Sequence, residues 1–378
     1  MSVEGDIRAI FLLGIGQIPD YGGMASGVVG VLWPAPQADV WGDIKDRVEK
    51  LIDEKLDKEI EKQLIETLHG LQRVMQNYAD ALKDYEHDPE KIFVFFEDAL
   101  TQLEANLDHF KSAGHEVLLL PLFAQFANMH LSLLRDGALL GKNWGMTQEG
   151  VDRIIKKIYK YGGDYRWHVQ KTYPDAHNAA KQKYAGLEPK PQWTALNKFV
   201  REMTLMVLDF AEYWPYFAPD EPRPKLKREL YSDPIGNGHD HRVIKIGDPE
   251  KNRMSKAKVW GFDRIDAIQQ AFGGKLGKRM GNQHGGSDAP PNGWTGDIEI
   301  NNQIAYVSGR AGDVLDSMQL HFENGEKSNL CGGGREGGEK FVAKIDGHIV
   351  SRFYITRADA NYGTAETLVV AYRFHDGF

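Results

Sequence analysis

Leu120-Pro-Leu-Phe-Ala-Gln-Phe-Ala-Asn-Met-His-Leu-Ser-Leu-Leu-Arg-Asp136 is the stretch on which the fold turns. From Val117 to Leu134 there is no Asp, Glu, Lys or Arg, and the polar side chains are Gln125, Asn128, His130 and Ser132. A helix that is apolar on every side is either surrounded by other helices or destined for lipid. These 18 residues sit at the lower edge of a membrane span, and Pro121 with the four polar side chains weighs against a helix resident in lipid. The favoured reading is a central helix covered by five or six amphipathic neighbours.

Those neighbours are legible on both sides. Trp41, Ile44, Val48, Leu51, Ile52, Leu56, Ile60 and Leu64 recur at three- and four-residue spacing, with charged residues between them. Leu71, Val74, Met75, Tyr78, Leu82 and Tyr85 continue the pattern past an expected break at Gly70. Asp88-Pro89 starts a new helix, Asp as cap and Pro in the first turn, with the stripe Ile92, Phe96, Leu100, Leu103, Leu107 and Phe110. Further amphipathic helices are expected through Ile154–Val169 and Trp193–Phe210.

Composition changes along the chain. Between Asp43 and Ala113 the glycine is Gly70 and the proline Pro89, whereas glycines recur every few residues between Gly261 and Gly338. Pro215, Pro219, Pro222, Pro224 and Pro234 mark a hinge, which divides a helical domain at 1–232 from a turn-rich domain at 233–378. The second part repeats: Asp263–Phe272 aligns with Asp313–Phe322, fifty residues on, and a worn third copy lies at Glu366–Tyr372. Asn302-Gln-Ile304 is matched to Gly347-His-Ile349. Short strands with glycine turns at this spacing predict three related sheets.

The 378 residues, 42% hydrophobic, are enough for two cores, and a net charge of −8 argues against a protein built to hold nucleic acid. A single cysteine, Cys331, excludes an internal disulfide framework and a multi-cysteine zinc site. The N-terminal apolar stretch follows Glu4 and Asp6 and is broken by Gly14, Gly16, Pro19, Gly22 and Gly23, so no standard signal peptide is expected. No enzyme motif is found. Gly14-Ile-Gly16 lacks the third glycine of a dinucleotide loop, and no Gly-Lys-Ser/Thr follows a strand signal. His239-Asp-His241 reads as an exposed linker rather than a metal site, Cys331 as a residue without a catalytic partner, and Gly332–Gly334 with Gly337–Gly338 as turns rather than a phosphate cradle.

The quoted helix, with Gly141-Lys-Asn-Trp-Gly145, Phe199-Val-Arg-Glu-Met-Thr-Leu-Met-Val-Leu-Asp209 and Leu226-Lys-Arg-Glu-Leu-Tyr-Ser-Asp-Pro234, closely resembles the insecticidal crystal (Cry) δ-endotoxins over most of residues 10–234. The resemblance implies a seven-helix bundle with a central helix. Ser308-Gly-Arg-Ala-Gly-Asp-Val-Leu-Asp-Ser-Met318 and its repeats resemble a jacalin-like lectin, a threefold β-prism. The sequence stops after the prism, so the expectation is a two-domain toxin without the family's third domain. The implied activity is pore formation. The partners implied are a target-cell membrane, a surface glycan or glycoprotein receptor, and further copies of the chain in the pore. No cofactor and no catalytic residue are implied, and the toxin is expected to be released or deposited by its maker. The other reading is a carbohydrate-binding lectin whose bundle is a scaffold.

Two sets of site residues follow. The lectin resemblance implies a sugar site in the loop Gly312, Asp313, Val314, Leu315 and Asp316, with Gly337 and Gly338 beside it; the alternative is a turn that merely starts a strand. At the equivalent places the first copy has Phe262 and Asp266, and the third has Tyr362 and Glu366. In the bundle, the resemblance implies that a hairpin of about Pro89–Ala113 and Val117–Leu140 inserts into the bilayer. On its first helix Glu90, Glu97, Glu104 and Asp108 fall within about 40° of one another at 100° per residue. They are either a solvated face or, in a membrane, the lining of a cation-selective pore.

Overall fold

A computed structural model describes residues 23–34, 39–219, 221, 226–261, 263–281, 294–333, 337–357 and 364–374. Seven helices are seen among the described residues: α1 (Met24–Leu32), α2 (Val40–Ile52), α3 (Lys58–Asp84), α4 (Pro89–Asn106), α5 (Glu116–Leu140), α6 (Gln148–Tyr184) and α7 (Pro189–Met203). A π turn, Thr204–Leu208, continues α7 into Asp209–Tyr213. The chain forms two compact units, residues 1–182 with 202–224 and residues 183–201 with 225–378. Most of α7 thus counts with the second unit, which a cut at 232 does not anticipate. Gly70 does not interrupt α3; the real break comes earlier, where Asp53 ends α2 in the left-handed region at φ 62°. Asp88 makes no side-chain cap bond and instead pairs with Lys91 at 3.0 Å.

The second unit contains twelve described strands, all antiparallel, in three sheets. One is built on β2 (Met254–Gly261) and β3 (Ile265–Phe272), with β4 (Lys275–Leu276), β5 (Met280–Gly281) and β6 (Trp294–Glu299). The next is built on β7 (Ile304–Ala311) and β8 (Leu315–Phe322), with β9 (Cys331–Gly332) and β10 (Glu339–Ala343). The third joins β1 (Glu229–Tyr231) to β12 (Ala365–Phe374) and β11 (His348–Arg357). All three sheets turn side chains such as Val259, Ile268, Val307, Met318, Phe353 and Leu368 into one shared core, which makes the unit a threefold β-prism.

The repeat is visible in the ladders. Ile265, Leu315 and Ala365 open equivalent strands at fifty-residue steps, and bulges fall at matching points after Met254, Ile304 and Val350. Val350, not Ile349, therefore corresponds to Ile304: the expected match is off by one residue, and one residue reverses which face a side chain takes. The third repeat is completed from the other end of the unit. Ile235 bridges Leu368 as Met280 pairs with Ile268 and Cys331 with Met318. Next to these, Gly236, Gly281 and Gly332 have φ of 98°, 92° and 72° and lie against the backbone carbonyls of Glu366, Asp266 and Asp316. A side chain there would clash and strain the backbone, so the position needs glycine in all three copies.

The first unit is organised by α5. Phe123, Phe126 and Leu131 are 0% exposed. Each of its buried polar side chains makes a bond within the unit, although His130 Nε2 has no partner among the described residues. Trp214 Nε1 donates to Asn128 Oδ1 at 2.8 Å, and Gln125 Nε2 to the Met206 carbonyl at 3.4 Å. Ser132 Oγ donates to the Asn128 carbonyl at 2.6 Å, and His130 Nδ1 meets Tyr165 Oη at 2.6 Å. Arg135 Nη1 donates to the Phe217 carbonyl at 2.7 Å. Asp136 accepts from Met24 N, Ala25 N and Tyr78 Oη at 2.6, 3.1 and 3.1 Å.

His168 on α6 packs edge-on against Phe123, ring centroids 4.6 Å apart, and its buried Nε2 has no partner among the described residues. Burial, with Lys111 beside it, lowers its pKa to about 4; Lys171 adds to the shift and Glu116 opposes it. A histidine held below its unfolded value of about 6.5 is neutral in the fold, so the unfolded chain takes up the proton first as pH falls. Stability from this group is complete above about pH 6.5 and is lost towards pH 4. His168→Phe keeps a ring against Phe123 and removes the titration. Thermal melts should show the wild type losing up to roughly 3 kcal/mol relative to the variant between pH 6.5 and 4. Parallel pH profiles would show that His168 is not the titrating group.

Candidate functional site

At the end of the prism the β7–β8 turn and the loop before β10 meet. Gly312 and Gly338 approach so closely that a Cβ on Gly312 would stand 3.3 Å from Gly338 Cα. A Cβ on Gly337 would stand 3.3 Å from Asp316 Oδ1, and one on Gly338 would strike the Asp316 carboxylate. Arg310 holds this loop, with Nη1 donating to the Gly338 carbonyl at 2.9 Å. Asp316 is 7% exposed. Burial raises its pKa, while Arg264, the Gly312 N–H and Arg310 hold it back. Its carboxylate has no side-chain hydrogen bond among the described residues, which leaves an acceptor set in a wall of bare glycine backbone.

The expected loop residues separate into two groups. Gly312, Asp316, Gly337 and Gly338 come together, and Asp313 is exposed beside them. Val314 is half-buried and contributes its carbonyl, which accepts from Gly312 N at 3.0 Å. Leu315 is 0% exposed in the shared core, so its side chain does not reach the loop. Phe262, Tyr362 and Gly334 lie outside the described residues, as does Gly14-Ile-Gly16.

The two equivalent acids differ. Asp266 is half-buried with Arg279 as its cationic neighbour. Glu366 is 2% exposed and closed off: His239 Nδ1 lies 2.9 Å from Oε1 and Arg242 Nε 3.5 Å from Oε2. His239 is exposed, as expected of that segment, and is tied to the prism through Glu366. Sequence reasoning missed this pairing, although the fifty-residue period already made Glu366 equivalent to Asp316. Among the described residues no group of three His, Cys, Asp or Glu side chains gathers at metal-binding distance. Cys331 is 0% exposed, and burial pushes its thiol up to about 12, far from a reactive thiolate.

In the bundle, Glu90 and Glu97 are exposed on α4. Glu104 is partly buried and pairs with Lys157 Nζ of α6 at 2.7 Å, so it is not part of a freely solvated face. Asp108 lies beyond the α helix in a 3₁₀ segment, Leu107–Lys111, so the 100° wheel that groups it with the three glutamates does not apply there. Helix α5 has 25 residues, about 37 Å, and α4 has 18, about 27 Å, to which the five-residue 3₁₀ segment adds about 10 Å. The two arms of the hairpin are thus matched in length.

The sequence model of the family described as delta endotoxin, N-terminal domain, matches residues 10–218. The pesticidal crystal protein Cry8Ca of Bacillus thuringiensis subsp. japonensis is 33% identical over 245 residues, 61% of this chain and 21% of that protein. Cry7Ab of B. thuringiensis serovar kumamotoensis is 33% identical over 362 residues, 93% of this chain and 28% of that protein. The chain thus spans between about a fifth and a third of the length of these relatives. Among solved structures, the insecticidal delta-endotoxin Cry8Ea1 of B. thuringiensis matches with TM-score 0.79 at 20% identity, covering 100% of this chain and 74% of that one. PirB matches with TM-score 0.73 at 16% identity, covering 100% and 96%. With more than half its residues inside the family's N-terminal domain and the same fold carried into the prism, the chain belongs to the delta-endotoxin family.

Proposed function

We propose that the protein is a pore-forming toxin of the insecticidal kind, whose prism engages a glycan or glycoprotein on a target cell and whose α4–α5 hairpin enters the membrane. The observation that carries this reading is α5. It is long and apolar enough to cross a bilayer, yet 94% of its apolar window is buried in the bundle. Its length exceeds a hydrocarbon core of about 30 Å. The bonds Asn128–Gln125 and Ser132–Asn128 lie within the helix and survive its departure. The bonds it must give up are those to Trp214, Tyr165 and Met206, together with Arg135 to Phe217 and Asp136 to Met24, Ala25 and Tyr78. Arg135 and Asp136 follow the uncharged run, where a membrane interface can hold their charge.

In lipid, Glu90, Glu97 and Glu104 cannot face hydrocarbon and would line water, with Asp108 near the mouth. Several copies of the chain would then form rings of carboxylates that favour cations. At the prism, a carboxylate without a side-chain donor, set in glycine backbone, suits the paired hydroxyls of a sugar. The activity needs neither cofactor nor catalytic group, and it is exercised at the target-cell membrane.

Thr67 Oγ1 lies 2.7 Å from His109 Nδ1 and joins α3 to the α4–α5 connection. A Thr67→Cys/His109→Cys disulfide should abolish leakage from dye-loaded target-membrane vesicles, and reduction should restore it. The buried Cys331 does not compete. Full leakage by the oxidised protein would exclude this hairpin as the inserting element. Agglutination without leakage by the wild type would instead mark a lectin with a helical scaffold. Glu97→Lys, at an exposed position with no ion pair among the described residues, should shift the reversal potential in planar bilayers under a KCl gradient towards anions; no shift would assign the lining to another helix. Asp316→Ala should leave the melting temperature within a few degrees and remove glycan-array binding, whereas a wild type that binds no glycan would reduce the loop to a turn.

A further inference from the structure

Helix α6 runs for 37 residues, about 55 Å, with one side on the bundle core and the other in solvent. On its outer side Trp167 is 62% exposed, an unusual position for the largest aromatic side chain. At 100° per residue, Arg153, Lys156, Lys160, Lys171 and Lys181 all lie within about 40° of Trp167 around the helix. All five are exposed, and none enters an ion pair among the described residues. The α6 cations that are paired, Lys157 with Glu104 and Arg166 with Glu212, lie about 80° and 100° round from Trp167. The exposed aspartates Asp152, Asp164 and Asp175 fall at about 60° to 80°, on the flanks of the stripe. Glu149 lies on the line itself, in the first turn, where the helix dipole favours an anion.

The arrangement is a line of unpaired cations about 42 Å long with a single proud indole near its middle. Lys171 Nζ stands 5.2 Å from the centre of the Trp167 ring, so the ring is already shielded by a cation. Lysine and arginine reach an anionic surface on long apolar stems, and tryptophan settles at the boundary between headgroups and hydrocarbon. The chain as a whole carries −8, which an anionic surface repels, so this face is a local exception with a sign of its own.

We propose that the outer face of α6 is a docking surface for anionic phospholipid bilayers, with the helix lying flat, Trp167 in the interface and the five cations on headgroup phosphates. The proposal goes beyond the pore reading: it concerns adsorption before any helix leaves the bundle, and it does not involve the prism. A linear polyanion would meet the same cations but would give the indole no apolar phase to enter.

The test is co-sedimentation of the full chain with large vesicles of phosphatidylcholine alone or with 30% phosphatidylglycerol, in 50 and 500 mM NaCl. Binding is expected on the anionic vesicles at low salt, weaker by at least about tenfold on neutral vesicles and at high salt. Lys156→Glu/Lys160→Glu should lower the partition by at least about tenfold with an unchanged circular dichroism spectrum. Quenching of tryptophan emission by brominated phosphatidylcholine mixed into the anionic vesicles should fall sharply in Trp167→Phe. Equal binding to both vesicle types, unaltered binding by the double variant, or binding to heparin without binding to vesicles would overturn the assignment. Leakage is not read here, so a chain that docks without forming pores refutes the pore reading and leaves this one standing, and the converse also holds.

Discussion

A helix that is apolar all round can exist in water only if other helices enclose it, and every polar group on it must then find a partner inside. This constraint organises the first unit. The polar residues of α5 reach Tyr165 on α6 and Met206, Trp214 and Phe217 in the segment after α7, so two separate regions of the chain are fixed by the needs of one helix. Asp136 shows how far the effect extends. Helix α1 has Gly23 at its N-cap and no side-chain cap of its own; the carboxylate of Asp136, more than a hundred residues on, accepts from Met24 N and Ala25 N instead. A Cβ at Gly23 would occupy the place of that carboxylate. One buried acid therefore caps α1, binds Tyr78 of α3 and belongs to α5. Burial raises its pKa to about 7, while the Ala25 and Met24 N–H groups, Tyr78 and Arg135 hold it down.

On the pore reading proposed above, the same constraint gives the first unit a second state. What makes α5 hard to expose to water makes it cheap to place in lipid, and two of its internal bonds travel with it. Helix α4 is different in kind, since its carboxylates require water or a cation wherever they go. In the bundle Lys157 meets this need for Glu104, and solvent meets it for Glu90 and Glu97. The hairpin thus joins one arm with nothing to hydrate to one arm that must stay hydrated.

The prism solves a different problem, how three sheets share one core without a free end. The segment entering the unit supplies the partner that the last strand pair lacks, through Leu230 opposite Tyr372 and Ile235 opposite Leu368. The core is closed only when the first and last strands of the unit have both arrived. The three equivalent acids then took different surroundings: Asp266 beside Arg279, Asp316 under bare glycine, Glu366 locked by His239 and Arg242. Repetition built the frame, and the loops between repeats decided which corner stays open.

Much of this was legible in the residues. The uncharged run Val117–Leu134, the amphipathic stripes and the fifty-residue period are local patterns, and burial enforces local patterns wherever one face must be dry. The nearness of Asp316 to Gly337 and Gly338 followed from the lectin resemblance and not from any spacing. Other features lay beyond the sequence. That Leu315 turns into the core while its neighbour Asp316 faces the loop depends on which face of β8 is buried. That Val350 and not Ile349 stands where Ile304 does is fixed by the strand pairing, with the same bulge after each, and not by the short Asn-Gln-Ile and Gly-His-Ile motifs. Asp136 with Met24, Glu104 with Lys157 and His239 with Glu366 join residues 53 to 127 apart, and no local periodicity relates them. The sequence determined which surfaces had to be hidden; only the tertiary structure decided which charges would meet, because a charge's partner is set by where separately folded segments come to rest.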